Sequence, residues 1–98
     1  MEIIKNLDGD KLNIAVEGRL DTTTAPELEA ELKSSMDGIS ELILDFSKLE
    51  YVSSAGLRVI LAAQKTMNKQ GTMKLVNVND EVMEVFEITG FVDILTIE

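Results

Sequence analysis

The sequence predicts an α/β fold: one small domain over residues 1–98, with a mixed, mostly parallel sheet and helices mainly on one face. Three observations predict it. Strand-like runs alternate with runs of helical period in the order β-β-α-β-α-β-α-β, and strands separated by helices pair in parallel through right-handed crossovers. The first two strand-like runs are separated only by Asp8-Gly9-Asp10, a turn signal that makes them an antiparallel hairpin at the sheet edge. The chain has 98 residues, 45% of them hydrophobic, which suits a single modest core.

The hairpin takes residues 1–7 and 11–19. In its second run Leu12, Ile14 and Val16 alternate with Asn13, Ala15 and Glu17, so one face is buried. Thr22-Thr23-Thr24-Ala25-Pro26-Glu27 announces the first helix. Thr24 with Glu27 fits a capping box, and Pro26 sits in the first turn, where a missing N–H does little harm. Ala25, Leu28, Leu32 and Met36 form its inner stripe, and Gly38 is its stop. A strand over 41–46 follows. Its Leu42-Ile43-Leu44 is apolar without alternation, which suits a strand covered on both faces.

The second helix spans 54–70 and ends at Gly71. Leu57, Ile60, Leu61 and Met67 make an apolar face that Val59, Ala62 and Ala63 widen, so burial is heavy. Arg58 lies one turn in and stays exposed. A strand over 73–78 leads to a third helix capped by Asn79, with Asp80 and Glu81 in the first turn, where the helix dipole favours acids. Val82, Val85 and Phe86 face inward and Gly90 ends the helix. Met83 lies off that stripe, while the other methionines read as core filler. Residues 91–97 complete the pattern as a short last strand.

Composition removes several functions. There is no histidine, the commonest general base and transition-metal ligand, and no cysteine for a disulfide or thiolate site. A net charge of −9 opposes non-specific nucleic-acid binding and anionic membranes, and suits a basic protein face or solubility alone. No apolar run approaches a membrane span and no signal-peptide pattern opens the chain, so a cytoplasmic location is expected. No glycine motif matches a phosphate-cradling loop, and no cofactor or metal is expected. Asp21 and Asp45 could pair as acid and base or hold a metal, but carboxylates after strands are usually turn formers or caps, and no third ligand follows at a recognisable spacing. Val52-Ser53-Ser54-Ala55-Gly56 lacks the glycine of a nucleophile elbow, so the chain is not read as an enzyme.

That same stretch organises the rest. Ser53 or Ser54 can cap the second helix by accepting a backbone N–H bond. The helix start also favours negative charge, so a phosphate there is tolerated. Ala55 and Gly56 are small enough to leave the hydroxyls open to another protein's active site. In open α/β sheets such positions, at the C-terminal ends of strands, gather function.

Asp45-Phe46-Ser47 and Tyr51-Val52-Ser53-Ser54-Ala55-Gly56-Leu57 together resemble the signature of the STAS domain, and more narrowly that of the bacterial anti-sigma factor antagonists. The resemblance covers essentially the whole chain. It implies the STAS fold and a serine phosphorylated by a partner kinase two residues before the glycine, at Ser54. The family often has an aspartate just before it, where this chain has Ser53. Gly18-Arg19-Leu20-Asp21-Thr22-Thr23-Thr24-Ala25 also matches the family. The resemblance implies that the loop around Asp21, with Thr22 and Thr23, lies near Ser54 and helps meet the partner, as do Ser53, Ala55, Gly56 and Arg58. Asp45 is read as shaping the loop that presents the serines. The implied partners are an anti-sigma factor that is itself a serine-protein kinase, and a phosphatase. The alternative reading is a STAS subunit, never phosphorylated, of a transporter or larger assembly.

Overall fold

The structure, a computed structural model, describes residues 1–98. The strands are β1 (Glu2–Asp8), β2 (Lys11–Leu20), β3 (Glu41–Asp45), β4 (Leu49–Val52) and β5 (Thr72–Val76), and the helices are α1 (Ala25–Ser35), α2 (Ser54–Gln70) and α3 (Asp80–Thr89). The sheet order is β1-β2-β3-β5. β1 pairs antiparallel with β2 from Glu2↔Glu17 to Asp8↔Lys11, and the β2–β3 and β3–β5 pairs are parallel. This is the predicted mixed sheet with an antiparallel edge.

Burial alternates along β2, β3 and β5, so the helices cover one face. Leu12, Ile14 and Val16 point into the core, where Leu42, Leu44, Met73 and Leu75 join them. α1 supplies Leu28 and Leu32, α2 supplies Ile60 and Met67, and α3 supplies Val82 and Phe86. Each fully buried leucine or phenylalanine stabilises the fold by about 1.5–3 kcal/mol. Met36, Met67 and Met73 are core filler as expected, and Met83 is half-buried.

The structure departs from the expected order in two places. Residues 49–52, read as loop, form β4, which pairs in parallel with the last residues of β2 through Gly18↔Leu49, Arg19↔Tyr51 and Leu20↔Val52. The register shifts between Gly18 and Arg19, which lets β2 serve β3 with its first half and β4 with its last. Residues 91–97 are not a strand. Gly90 turns in the left-handed region at φ +79°, Phe91–Asp93 forms one 3-10 turn, and only Ile97 bridges to Leu75.

Smaller corrections follow the same physics. Ile43 is half-buried, because β3 is covered on one face and not on both. Leu61 and Val85 are half-buried and Ala62 is exposed, so the buried faces of α2 and α3 are narrower than their apolar runs. The Thr24–Glu27 capping box does not form: Thr24 is already in helical conformation, and its hydroxyl donates to the Arg19 carbonyl at 2.8 Å.

Candidate functional site

The pairing of β4 with the end of β2 builds the site. The Ser53 N–H donates to the Leu20 carbonyl at 2.9 Å, which ties the start of α2 to the strand that leads into the Asp21 loop. Ser53 is the N-cap. Its backbone is extended (φ −94°, ψ 175°) and its Oγ accepts from the Gly56 N–H at 3.3 Å. Of the two serines, the cap is therefore Ser53. Ser54 is the first residue of α2, is exposed, and its hydroxyl makes no hydrogen bond within the chain. The first-turn N–H groups of Ser54 and Ala55 have no intrahelical acceptor.

Gly56 requires a correction. It is buried, and a Cβ there would stand 2.7 Å from Leu20 Cγ and 3.0 Å from Val52 Cγ2. Its smallness lets α2 settle onto the ends of β2 and β4, and it does not open the serines to a partner. Ala55 is half-buried and packs against the core. It lines a shallow cleft with Thr22, Ala25, Pro26, Glu29, Arg58 and Val59. The fold thus brings Thr22, Ala55 and exposed Arg58 to one depression beside Ser54.

Asp21 and Thr23 are committed to their own loop. Asp21 Oδ1 accepts from the Thr23 N–H at 3.0 Å, the Thr23 hydroxyl at 2.8 Å and the Thr24 N–H at 3.2 Å, while Oδ2 faces Arg19 Nε at 3.8 Å. The Thr23 hydroxyl bond, helped by the two backbone N–H groups, holds the Asp21 carboxyl below the usual carboxylate range. Asp45 organises the β3–β4 turn. Partial burial pushes its carboxyl up, but the Ser47 N–H at 2.9 Å and the Asn77 amide at 3.2 Å outweigh that and hold it below the usual range. Each aspartate serves its own turn, and no group of three or more acids lies close enough together to hold a metal ion.

Sequence reasoning missed one feature beside the site. The Arg19 guanidinium lies 4.3 Å from the ring centroid of Tyr51, an exposed cation–π pair across β2 and β4. Tyr51 is the chain's single tyrosine, two residues before Ser53. Without the β2–β4 pairing nothing in the sequence joined it to Arg19.

The start of α2 is thus tied to a strand end, with one hydroxyl spent on capping and the next left free. The STAS domain profile matches residues 2–98, and the chain belongs to the STAS domain family. Within it, the chain is 40% identical over 93 residues to BtrV of Bordetella bronchiseptica, named there as a candidate anti-sigma factor antagonist; the match covers 93% of this chain and 79% of that one. It is 35% identical over 98 residues to the anti-sigma-B factor antagonist of Listeria monocytogenes, covering 97% and 85%. The fold is similar to that of an anti-sigma factor antagonist from Mycobacterium paratuberculosis (TM-score 0.88, 22% identity, 98% and 83% covered). It is also similar to that of the Bacillus cell fate determinant SpoIIAA in its phosphorylated form (TM-score 0.77, 17% identity, 99% and 91% covered). No helix of the chain is long and apolar enough to cross a membrane.

Proposed function

We propose that this chain is an anti-sigma factor antagonist: a non-catalytic switch that binds an anti-sigma factor when unmodified, frees a sigma factor, and is turned off by phosphorylation of Ser54. The observation that carries the site is the free, exposed Ser54 hydroxyl beside a Ser53 already engaged as cap. The names of the relatives support the partner class. The anti-sigma factor acts as the serine kinase and a phosphatase resets the switch, all in the cytoplasm, where ATP is available. The loop at Asp21, Thr22 and Thr23, with Ser53, Ala55 and Arg58, borders the docking surface.

The physical core is charge. Phosphorylation adds about −1.5 to −2 units. The helix start favours an anion by only ~0.3–1 kcal/mol, so the folded domain changes little. An interface closed over Ser54 buries that charge, and an unpaired buried charge costs several kcal/mol. That is orders of magnitude in affinity. The chain releases its partner without refolding.

Mass spectrometry after incubation with a serine kinase of the same cell and ATP tests this. Phosphate is expected on Ser54 in the parent and in Ser53→Ala, and none in Ser54→Ala. Label confined to Ser53 overturns the site. Stable partner binding that ATP does not alter overturns the switch in favour of a structural STAS subunit.

A further inference from the structure

We propose that the outward face of α2 is a docking strip for an acidic face of a protein partner. The chain carries 9 cations and 18 acids. Six of the cations lie outside α2, and all six are paired: Lys5 with Glu31, Lys11 with Glu41, Arg19 with Asp21, Lys33 with Glu29, Lys48 with Glu17, and Lys74 with Glu41 and Glu98. The other three, Arg58, Lys65 and Lys69, lie on α2, are exposed, and have no carboxylate within ion-pair distance. α2 itself contains no Asp or Glu. A basic helix thus stands on a body whose remaining side chains are strongly acidic.

The spacing places these cations in line with the serine. Ser54, Arg58, Lys65 and Lys69 are separated by four, seven and four residues, one face of a helix. From Arg58 to Lys69 the strip is about 16 Å long. The facing bank, on α1 and just beyond it, offers Glu29, already held by Lys33 at 3.7 Å, and Asp37 at the far end. An exposed ion pair is worth at most about 1 kcal/mol, so leaving three cations unpaired costs little stability. It leaves their field free for a partner.

The length and surroundings of the strip select the partner. A nucleic acid or an anionic membrane presents charge well beyond 16 Å, and would run onto the acidic remainder within a Debye length of ~8 Å. A compact acidic patch on a protein ends where the strip ends. The acidic body repels that patch from every other face, so encounter is oriented as well as attracted. This deepens the proposed switch and rests on it in one respect: phosphate on Ser54 would stand about 6 Å along the helix from Arg58, cancelling much of the strip's charge, so a modified chain meets its partner more slowly as well as holding it less.

Two measurements test the strip. The first needs no natural partner. A hexaglutamate peptide titrated into the labelled chain at low salt should shift the amide resonances of residues 58–69, and the shifts should vanish in the double variant Lys65→Glu/Lys69→Glu. A control double variant on α3, Glu84→Gln/Glu87→Gln, should keep them. Absence of localised shifts in the parent, or shifts centred elsewhere, overturns the strip. Stronger binding to an oligonucleotide or to phosphatidylserine vesicles than to the peptide overturns its assignment to a protein. The second measurement is the association rate with the kinase that labels Ser54, where Lys65→Glu/Lys69→Glu should slow encounter about tenfold or more at low salt, the difference closing at high salt. An unchanged or faster rate overturns the acidic-partner assignment. Loss of Ser54 labelling with the peptide shifts intact counts against the switch and leaves the strip standing.

Discussion

The starts of α2 and α3 are built alike and finished differently. Ser53 and Asn79 are both extended N-caps, with φ, ψ of −94°, 175° and −75°, 168°. Each side chain accepts the N–H three residues on, at 3.3 Å from Gly56 and 2.9 Å from Val82. α3 then places Asp80 and Glu81 in its first turn, so its positive end is met by its own acids. The first turn of α2 has no acid. At the third helical position α3 has Val82 and α2 has Gly56, which must lie against Leu20 and Val52. The same capping grammar yields one helix start that is electrostatically complete and one that is pinned closely to the sheet while its charge is left unanswered. On the proposed switch, the second kind is the one that takes phosphate.

The largest test of this contrast is steric. Gly56→Val, which gives α2 the residue that α3 carries at that position, forces side chain into Leu20 and should lower stability by about 3 kcal/mol. Urea denaturation should register this as a fall in midpoint, and a variant as stable as the parent breaks the contrast. Next come the caps. Asn79→Ala should cost about 1–2 kcal/mol, since Asn79 also donates to the Leu49 carbonyl at 2.7 Å. Ser53→Ala, which loses a single longer bond, should cost about 0.5–1 kcal/mol. Equal losses in the same denaturation series would mean that the two caps are equivalent.

Charge changes should then move the two helices in opposite directions. Ser54→Asp should raise stability by about 0.3–1 kcal/mol, and Asp80→Asn should lower it by a similar amount. Calorimetry at low salt checks both, and a destabilising Ser54→Asp would show that the α2 start does not welcome an anion. The smallest effect is that of pH on the turns entering the site. Asp21 and Asp45 have lowered carboxyl pKa values, so their hydrogen bonds contribute stability that is fully present above the ordinary aspartate pKa of about 3.9. That contribution is lost as pH falls through the lowered values. Melting curves of Asp21→Asn and Asp45→Asn should therefore converge on the parent in acid and separate from it near neutrality.

Most of the layout was legible because long periodic segments reveal their buried faces. The alternation of Leu12, Ile14 and Val16 and the stripe of Leu28, Leu32 and Met36 hold in the structure. β4 was not legible. It has four residues, and Glu50 and Tyr51 are both exposed, so no period of two appears. The tail was misread for the opposite reason. Residues 91–97 are rich in strand-forming side chains, yet only Leu95 among them is buried, and the left-handed turn at Gly90 directs the chain into a 3-10 turn. At the site, the residues alone left Ser53 and Ser54 as alternatives for the cap, and only the resemblance pointed to Ser54. Gly56 did not reveal its role, because a missing side chain reads the same whether it clears a surface or admits a close contact. Its partner Leu20 decides which, and that contact exists only once β4 pairs with β2.

The far end of α2 is held in the same way. A Cβ at Gly71 would fall 1.8 Å from the Ser40 carbonyl oxygen, and Thr72 N–H donates to that oxygen at 3.0 Å. Close contacts hold the helix at both ends, with Leu20 and Val52 side chains at its head and the Ser40 backbone at its foot. On the proposed switch, a phosphate at its head stands on a helix anchored at both ends, and the partner reads it by touching it.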